Sequence, residues 1–199
     1  MKTRHVAAAG LALALVGCVA IQYSEVSPRF SEFHPKSIAI LPYTNSMGME
    51  NANESTNNSM AKQVLESKMF ERIVDPGQVR GAMGSNDELL NAITNFRTKW
   101  IATGMSDKNA VGYICKTLNA DSIVFGEITQ WGYSMIGGKR VFRAGMTLRW
   151  VDTSGEILWK GAHTMEKGAS IFNVLGNSGV GQCMDDVIHQ FILVWPKQK

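Results

Sequence analysis

Asp185 and His189 have the residue types and the spacing of a metal-binding pair. They are four residues apart in a stretch that the apolar pattern predicts to be helical, so both side chains would project from one face. Carboxylate and imidazole groups bind Zn²⁺, and Asp186 adds a second carboxylate nearby. A metal-dependent hydrolase would need a further ligand from another segment, and it stays as an alternative. A solvated helix face is the favoured interpretation, so we predict no metal site here.

Two other arrangements near the C-terminus could support catalysis, but each lacks essential parts. Cys183 and His189 could form a nucleophile and base pair, yet six residues along a helix place them on different faces. The glycine-rich residues 176–181 precede the predicted helix and could cradle an anion with their backbone amides. They include no Lys-Ser or Lys-Thr pair, and a flexible loop is the favoured interpretation. We therefore predict no catalytic residues, no cofactor and no enzymatic activity.

The N-terminal residues predict an export signal that ends at a reactive cysteine. Two basic residues precede an apolar run over residues 6–16, and small residues follow, which is the layout of a secretory signal. Leu15, Val16, Gly17 and Cys18 together resemble a bacterial lipobox. The resemblance implies cleavage of residues 1–17 and attachment of a lipid, with fatty acids such as palmitate, to Cys18.

A transmembrane anchor and an ordinary cleaved signal are the alternatives to this lipoprotein interpretation. A spanning helix needs about 20 apolar residues, and the run over residues 6–21 is shorter. Two or three acyl chains on Cys18 would hold the protein firmly to a bilayer, whereas one chain binds only marginally. Val19 is not the aspartate that retains many such lipoproteins in the inner membrane. We therefore predict a periplasm-facing, lipid-anchored protein of the outer membrane.

The composition argues against nucleic-acid binding. Removing residues 1–17 takes away Lys2 and Arg4, which leaves 18 basic and 17 acidic residues and a formal charge of +1. That charge gives no basic patch for a phosphate backbone. Cys115 and Cys183 could pair in an oxidising compartment, but both lie among apolar neighbours, and two buried thiols are the favoured interpretation.

The remainder of the chain divides into a tether and one domain. Residues 18–36 are rich in Ser and Pro and have no sustained periodicity, so we expect a lipidated N-terminus and a short tether. Phe30 and Phe33 within it would either pack on the domain or lie at the lipid headgroups. Residues 37–199 suit a single domain with one core.

Hydrophobic periodicity in this domain predicts an α/β fold of the α+β type. We expect a mixed sheet of about five strands with helices packed on it, in the order β-α-β-α-α-β-β-β-α. The last three strands, within residues 122–165, would form an antiparallel meander. The other predicted elements are strands at 37–43 and 70–74 and helices at 55–69, 85–103, 107–118 and 181–195, with a turn at 75–77.

An apolar cluster lies between the last predicted strand and the last predicted helix. Ile171, Phe172, Val174 and Leu175 fall where a loop is expected. Exposed apolar clusters often bind partners, so these residues are candidates for a partner contact. The alternative is that they fold back and cap the core.

Four segments of the domain resemble a group of bacterial envelope proteins. These segments are residues 38–45, 70–75, 118–126 and 152–159, and their order matches the curli-secretion lipoprotein CsgG, the penicillin-binding-protein activator LpoB and the N-terminal domain of TolB. The resemblance implies a small α/β domain that binds other envelope proteins and has no catalytic residues.

Two departures from that group guide the functional prediction. A CsgG-type channel needs two extended amphipathic hairpins per subunit, and here we expect only a tight connection between Gln130 and Lys139. An LpoB-type activator has a long tether, which residues 19–36 do not match. We therefore predict an adaptor or assembly factor for an envelope complex, with unidentified envelope proteins as partners and a possible homo-oligomer. An oligomeric secretion-channel component is the alternative.

Overall fold

A mixed β-sheet forms the centre of the molecule. The computed structural model describes residues 21–45, 50–168 and 178–197. In that part of the chain seven strands form one sheet in the order β1-β7-β6-β5-β2-β4, with β3 paired to β5. The strands are Tyr23–Val26 (β1), Ser37–Ile40 (β2), Thr44–Asn45 (β3), Arg72–Val74 (β4), Ser122–Ile136 (β5), Lys139–Asp152 (β6) and Ile157–Gly168 (β7).

The sheet is parallel on one side and antiparallel on the other. Strand β2 pairs in parallel with both β4 and β5. Strands β5, β6, β7 and β1 follow one another as antiparallel neighbours. The predicted α+β fold and the C-terminal meander are therefore confirmed, but the sheet is larger than the five strands expected.

Helices pack on both faces of this sheet. The described residues include the helices Glu50–Ser67 (α1), Pro76–Ser85 (α2), Asp87–Thr103 (α3), Lys108–Leu118 (α4) and Ser178–Val194 (α5). Within the described residues, none of these helices combines the length and the apolar character needed to span a bilayer.

Two apolar clusters lie on opposite faces of the sheet. Successive residues of a strand point to opposite faces, so Ile38 and Ile40 of β2 belong to one cluster, while Ala39 and Leu41, the residue that follows β2, belong to the other. Helices α1 and α5 cover the first face, and helices α2, α3 and α4 cover the second. The second layer leaves the middle of β6 and β7 uncovered, where side chains such as Thr147 are only half-buried.

The expected tether is part of the folded domain, which corrects the boundary at residue 37. Strand β1 pairs with β7, with Tyr23 opposite Ala162 and Val26 opposite Trp159. Phe30 follows in a short 3₁₀ turn, where it is buried at a ring distance of 5.3 Å from Trp150. The sequence does not predict this strand, because all four of its side chains are exposed and no apolar alternation marks it.

The predicted turn at residues 75–77 is wrong, because these residues begin helix α2. Asp75 caps the helix and accepts hydrogen bonds from the backbone amides of Gly77 at 2.7 Å and Gln78 at 2.9 Å. Pro76 occupies the first helical position, where its missing N–H costs nothing. A proline after an aspartate is thus compatible with a turn and with a helix start.

The connection between Gln130 and Lys139 is a tight hairpin, as predicted, but the two strands that it joins are longer than expected. Strand β5 continues to Ile136 and β6 begins at Lys139, so only Gly137 and Gly138 form the turn. Their φ angles of 55° and 75° lie in the left-handed region that favours glycine. The result is one long hairpin of strands with 15 and 14 residues.

Candidate functional site

A groove opens on the second face of the sheet, between helix α3 and strands β5 and β6. Its volume is about 290 Å³. It lies where the cover of the second helical layer ends, so its floor is sheet and one wall is α3. Its lining residues are Thr44, Arg97, Trp100, Ile101, Phe125, Gly126, Glu127 and Arg149.

Stacked aromatic and guanidinium groups form the centre of the groove. Phe125 of β5 and Arg149 of β6 are directly opposite in the register, so their side chains share one face. The ring of Trp100 meets that of Phe125 edge-to-face at 5.1 Å, and the Arg149 guanidinium lies 4.6 Å from the Trp100 centroid. Such cation–π contacts contribute about 0.5–2 kcal/mol.

Two partly buried arginines give the groove positive charge. Burial lowers the pKa of both Arg97 and Arg149, but an arginine stays protonated at any physiological pH. Arg97 donates a hydrogen bond to the carbonyl of Pro42, which ties α3 to the end of β2. Arg149 donates to the hydroxyl of Thr147 at 3.0 Å. The field of Glu127 favours the charged form of Arg149.

An exposed apolar side chain of α3 lies at the edge of the groove. Ile101, one of the lining residues, is 78% exposed. Tryptophan and arginine are the residue types most enriched at the energetic centres of protein interfaces. The groove therefore combines a charged aromatic centre with one exposed apolar side chain at its edge.

The residues with the spacing of a metal-binding pair line a different surface pocket, between α1 and α5. Asp185 and His189 do lie together there, as their spacing predicted, with Lys62 and Gln63 nearby. Asp186 forms an ion pair with Lys167. Among the described residues no three His, Cys, Asp or Glu side chains converge, so the hydrolase alternative has no ligand set in this part of the chain.

Both internal cysteines are buried and unpaired. Cys115 belongs to the apolar cluster on the second face and Cys183 to the cluster on the first, so the sheet separates them. This confirms the favoured interpretation. Burial raises the pKa of the Cys115 thiol to about 12 and also raises the pKa of Cys183, so neither forms a thiolate nucleophile readily.

Several predicted site residues lie outside the described residues. These are the lipid acceptor Cys18 with Leu15, Val16 and Gly17, and the apolar cluster Ile171, Phe172, Val174 and Leu175. Their roles stay predictions.

Sequence reasoning missed the groove because its parts are far apart in the chain. Trp100 belongs to the apolar side of helix α3 and Arg149 to the polar side of strand β6, and neither position by itself marks a site. The groove depends on the pairing of β5 with β6, which places Arg149 opposite Phe125. The helical pattern of α3 and the alternating pattern of β6 do not show that pairing. The sequence signal is an aromatic and an arginine at facing positions of a predicted hairpin.

Comparisons with known proteins show a shared fold. No family model matches the chain, and no curated protein matches its sequence. Among solved structures, the hypothetical protein CT253 from Chlamydia trachomatis overlays with a TM-score of 0.56 at 10% identity, over 79% of this chain and 93% of that one.

Two further solved structures overlay on a similar share of this chain. A PelC dodecamer from Paraburkholderia phytofirmans gives a TM-score of 0.50 at 14% identity, over 84% of this chain and 94% of that one. Lipoprotein GNA1162 from Neisseria meningitidis gives 0.48 at 18% identity, over 79% and 98% of the two chains. The likeness to CT253 and to PelC concerns the fold alone.

Proposed function

We propose that this chain is a non-enzymatic, lipid-anchored protein of the outer membrane that faces the periplasm. Its domain acts as an adaptor or assembly factor for an envelope protein complex. The lipobox-like residues Leu15, Val16, Gly17 and Cys18 support the anchor and the location. The four segments that resemble the CsgG, LpoB and TolB domains, which bind other envelope proteins, support the adaptor role.

The groove beside α3 is the observation that carries the adaptor function. An enzyme site would bring together groups that transfer protons or electrons, whereas Trp100, Phe125 and Arg149 offer stacking, apolar contact and a fixed positive charge. Those are the contacts of a protein interface, with the exposed Ile101 at its edge.

A matched pair of substitutions tests this proposal. Ile101→Glu places a charge at the rim of the groove, while Leu65→Glu places one at a similarly exposed position of α1, on the other helical layer. Both residues are more than half exposed, so neither change should unfold the protein. We expect Ile101→Glu to lose the partners recovered by pull-down from cross-linked envelopes, and Leu65→Glu to keep them. Equal recovery by both variants would show that the groove is not the partner site.

An oligomeric secretion-channel component is the second candidate, for two reasons. The PelC structure that shares this fold is a dodecamer. The β5–β6 hairpin has strands of 15 and 14 residues, longer than the 9 to 11 residues or so that a tilted strand needs to span a bilayer. Three strands of that length, β5, β6 and β7, occur within the described residues, whereas the two separate hairpins of a CsgG-type subunit need four.

The size of the detergent-extracted protein distinguishes the two candidates. Light scattering coupled to size exclusion would report a single copy, or a few copies, for an adaptor. A ring of many copies that persists on dilution would favour the channel component and contradict the adaptor.

A further inference from the structure

Among the described residues, the end of the β5–β6 hairpin extends beyond the other strands of the sheet. Strand β7 is described as far as Gly168, which pairs with Val141. Within the described part of the chain only β5 and β6 continue past that point, through the pair of Met135 with Arg140 to the pair of Ile136 with Lys139. We call residues 133–140 the hairpin tip.

The hairpin tip is both apolar and cationic. Tyr133 is 60% exposed, Met135 62% and Ile136 48%. The Arg140 guanidinium lies 4.5 Å above the ring of Tyr133, and Lys139 is also exposed. No acidic residue occurs in the sequence between Glu127 and Asp152, so the tip carries positive charge only.

Strand β1 begins at the end of the sheet that is nearer to the hairpin tip. Strand β7 runs from Trp159 toward Gly168, at the tip end. Because β1 is antiparallel to β7, the backbone traced backward from Val26 to Tyr23 moves in the same direction. Residues that precede Tyr23, including Cys18, are therefore attached on the tip side.

The distance from Tyr23 to Cys18 is short compared with the length of the hairpin. Through its partner Ala162, Tyr23 is level with Glu127 of β5. From Glu127 to Ile136 the strand extends about 30 Å at the usual rise per residue. Cys18 lies five residues before Tyr23, so it reaches at most roughly 17 Å in the same direction. With the strands upright on a membrane, the tip therefore extends roughly 10 Å or more past the anchoring cysteine.

We propose that the hairpin tip inserts into the headgroup region of an anionic phospholipid bilayer beside the acylated Cys18. This inference rests on the lipid anchor of the proposed function. Interfacial segments bury their apolar groups about 5–10 Å deep, which matches the geometry. Tyrosine is favoured at that depth, and Lys139 and Arg140 can extend their charges to the anionic headgroups. The tip is thus a second membrane contact that orients the domain.

Lipid quenching of a fluorophore at the tip tests the proposal. The full acylated protein, carrying Met135→Cys labelled with an environment-sensitive dye, is reconstituted in vesicles of phosphatidylethanolamine and phosphatidylglycerol that contain brominated lipid. The control is Thr153→Cys in the exposed β6–β7 turn, at the opposite end of the sheet. Cys115 and Cys183 are buried and label poorly.

We expect the bromolipids to quench the dye at residue 135 several-fold more than the dye at residue 153. Replacing Lys139 and Arg140 by Gln should at least halve that quenching, whereas replacing Lys108 and Lys116 of α4 should leave it unchanged. Equal quenching at residues 135 and 153 would overturn the inference, including the case in which the tip contacts a second copy of this chain.

Flotation of the same samples and the mass of the N-terminal peptide report the anchor independently. A protein that floats with an acylated Cys18 but shows no quenching at residue 135 would contradict the membrane contact and leave the anchor intact. Quenching at residue 135 in a protein whose Cys18 carries no lipid would contradict the anchor and support the contact.

Discussion

Gly126 allows strands β5 and β6 to lie close together, because it has no side chain. A Cβ atom at this position would lie 2.0 Å from the carbonyl oxygen of Thr147 on β6 and 2.9 Å from a methyl group of Leu148. The backbone oxygen cannot move without breaking the β5–β6 pairing. The absence of a side chain also leaves space for the groove, which Gly126 helps to line.

We predict that Gly126→Ala destabilises the domain by about 1–3 kcal/mol, since overpacking of this kind strains the backbone. Gly81→Ala is the matched control, because Gly81 lies in helix α2 with no atom within 4 Å of the added carbon. There alanine should stabilise the helix by about 0.5–1 kcal/mol. Urea unfolding of both variants measures the difference, and a stable Gly126→Ala protein would refute the prediction.

His163 should make the stability of the domain depend on pH. The ring is 1% exposed, packs edge-to-face against Phe191 at 6.3 Å, and neither nitrogen has a partner among the described residues. Burial lowers its pKa, so the folded state holds it neutral while the unfolded chain takes up a proton below about pH 6.5. Stability is therefore present above that pH and is lost as the pH falls.

The expected slope is at most about 1.4 kcal/mol per pH unit between pH 6.5 and the depressed pKa. His163→Leu should remove this contribution, whereas His189→Leu, at an exposed position, should keep it. Urea unfolding at a series of pH values gives both slopes. If the wild type and His163→Leu have the same slope, the buried histidine is not responsible.

At the scale of elements, β1 shows how a polar strand can be bound firmly to a sheet. Besides its backbone pairing with β7, the hydroxyl of Ser24 accepts a hydrogen bond from the indole nitrogen of Trp159 at 2.9 Å. Trp159 is fully buried and packs against Phe191 and Trp195. The strand therefore satisfies a polar atom of the core that would otherwise have no partner.

We predict that Ser24→Ala costs about 1–3 kcal/mol of stability, because it leaves the buried indole N–H unpaired. Ser31→Ala is the control, since that hydroxyl is exposed and bonds only to the nearby carbonyl of Pro28. Thermal unfolding followed by tryptophan fluorescence compares them. Equal melting temperatures would show that Ser24 contributes nothing to the core.

The sequence predicts correctly those elements whose hydrophobic pattern or cap is complete within a short segment of the chain. Helix α4 has its apolar residues at helical spacing and a cap at Asp107, and the sequence of β6 alternates between apolar residues and others from Phe142 to Trp150. The sequence does not predict strand β1, because its four exposed residues show no apolar alternation. It does not predict helix α2, because Asp75 followed by Pro76 fits both a turn and a helix start. The groove depends on contacts between residues far apart in the sequence, which local patterns do not encode.

At the scale of the whole molecule, the two faces of the sheet differ. The first face buries three tryptophans, Trp150, Trp159 and Trp195, beneath α1 and α5. The second face is covered over β4, β2 and β5, and the groove lies at the margin of that cover. A partner bound in the groove would extend the second layer over the open strands.

The anchor is tested by Cys18→Ser. Without the thiol no lipid can be attached, so we predict that the envelope protein no longer carries the mass of acyl chains and no longer behaves as a processed lipoprotein. Mass spectrometry of the N-terminal peptide and fractionation of the envelope measure both. Cys115→Ser is the control, because that thiol is buried in the apolar cluster on the second face of the sheet. A variant that stays in the membrane fraction with no acyl chain lost would contradict the lipid anchor.

The pairing of β1 with β7 has a mechanical consequence for an anchored protein. A partner that pulls the domain away from the membrane would apply tension to Tyr23 along the direction of β1. Antiparallel hydrogen bonds are perpendicular to their strands, so this force loads all the bonds between β1 and β7 in shear at the same time. A strand loaded in this way resists extraction better than one that can be peeled off bond by bond, so β1 would act as the force-bearing clamp of the molecule.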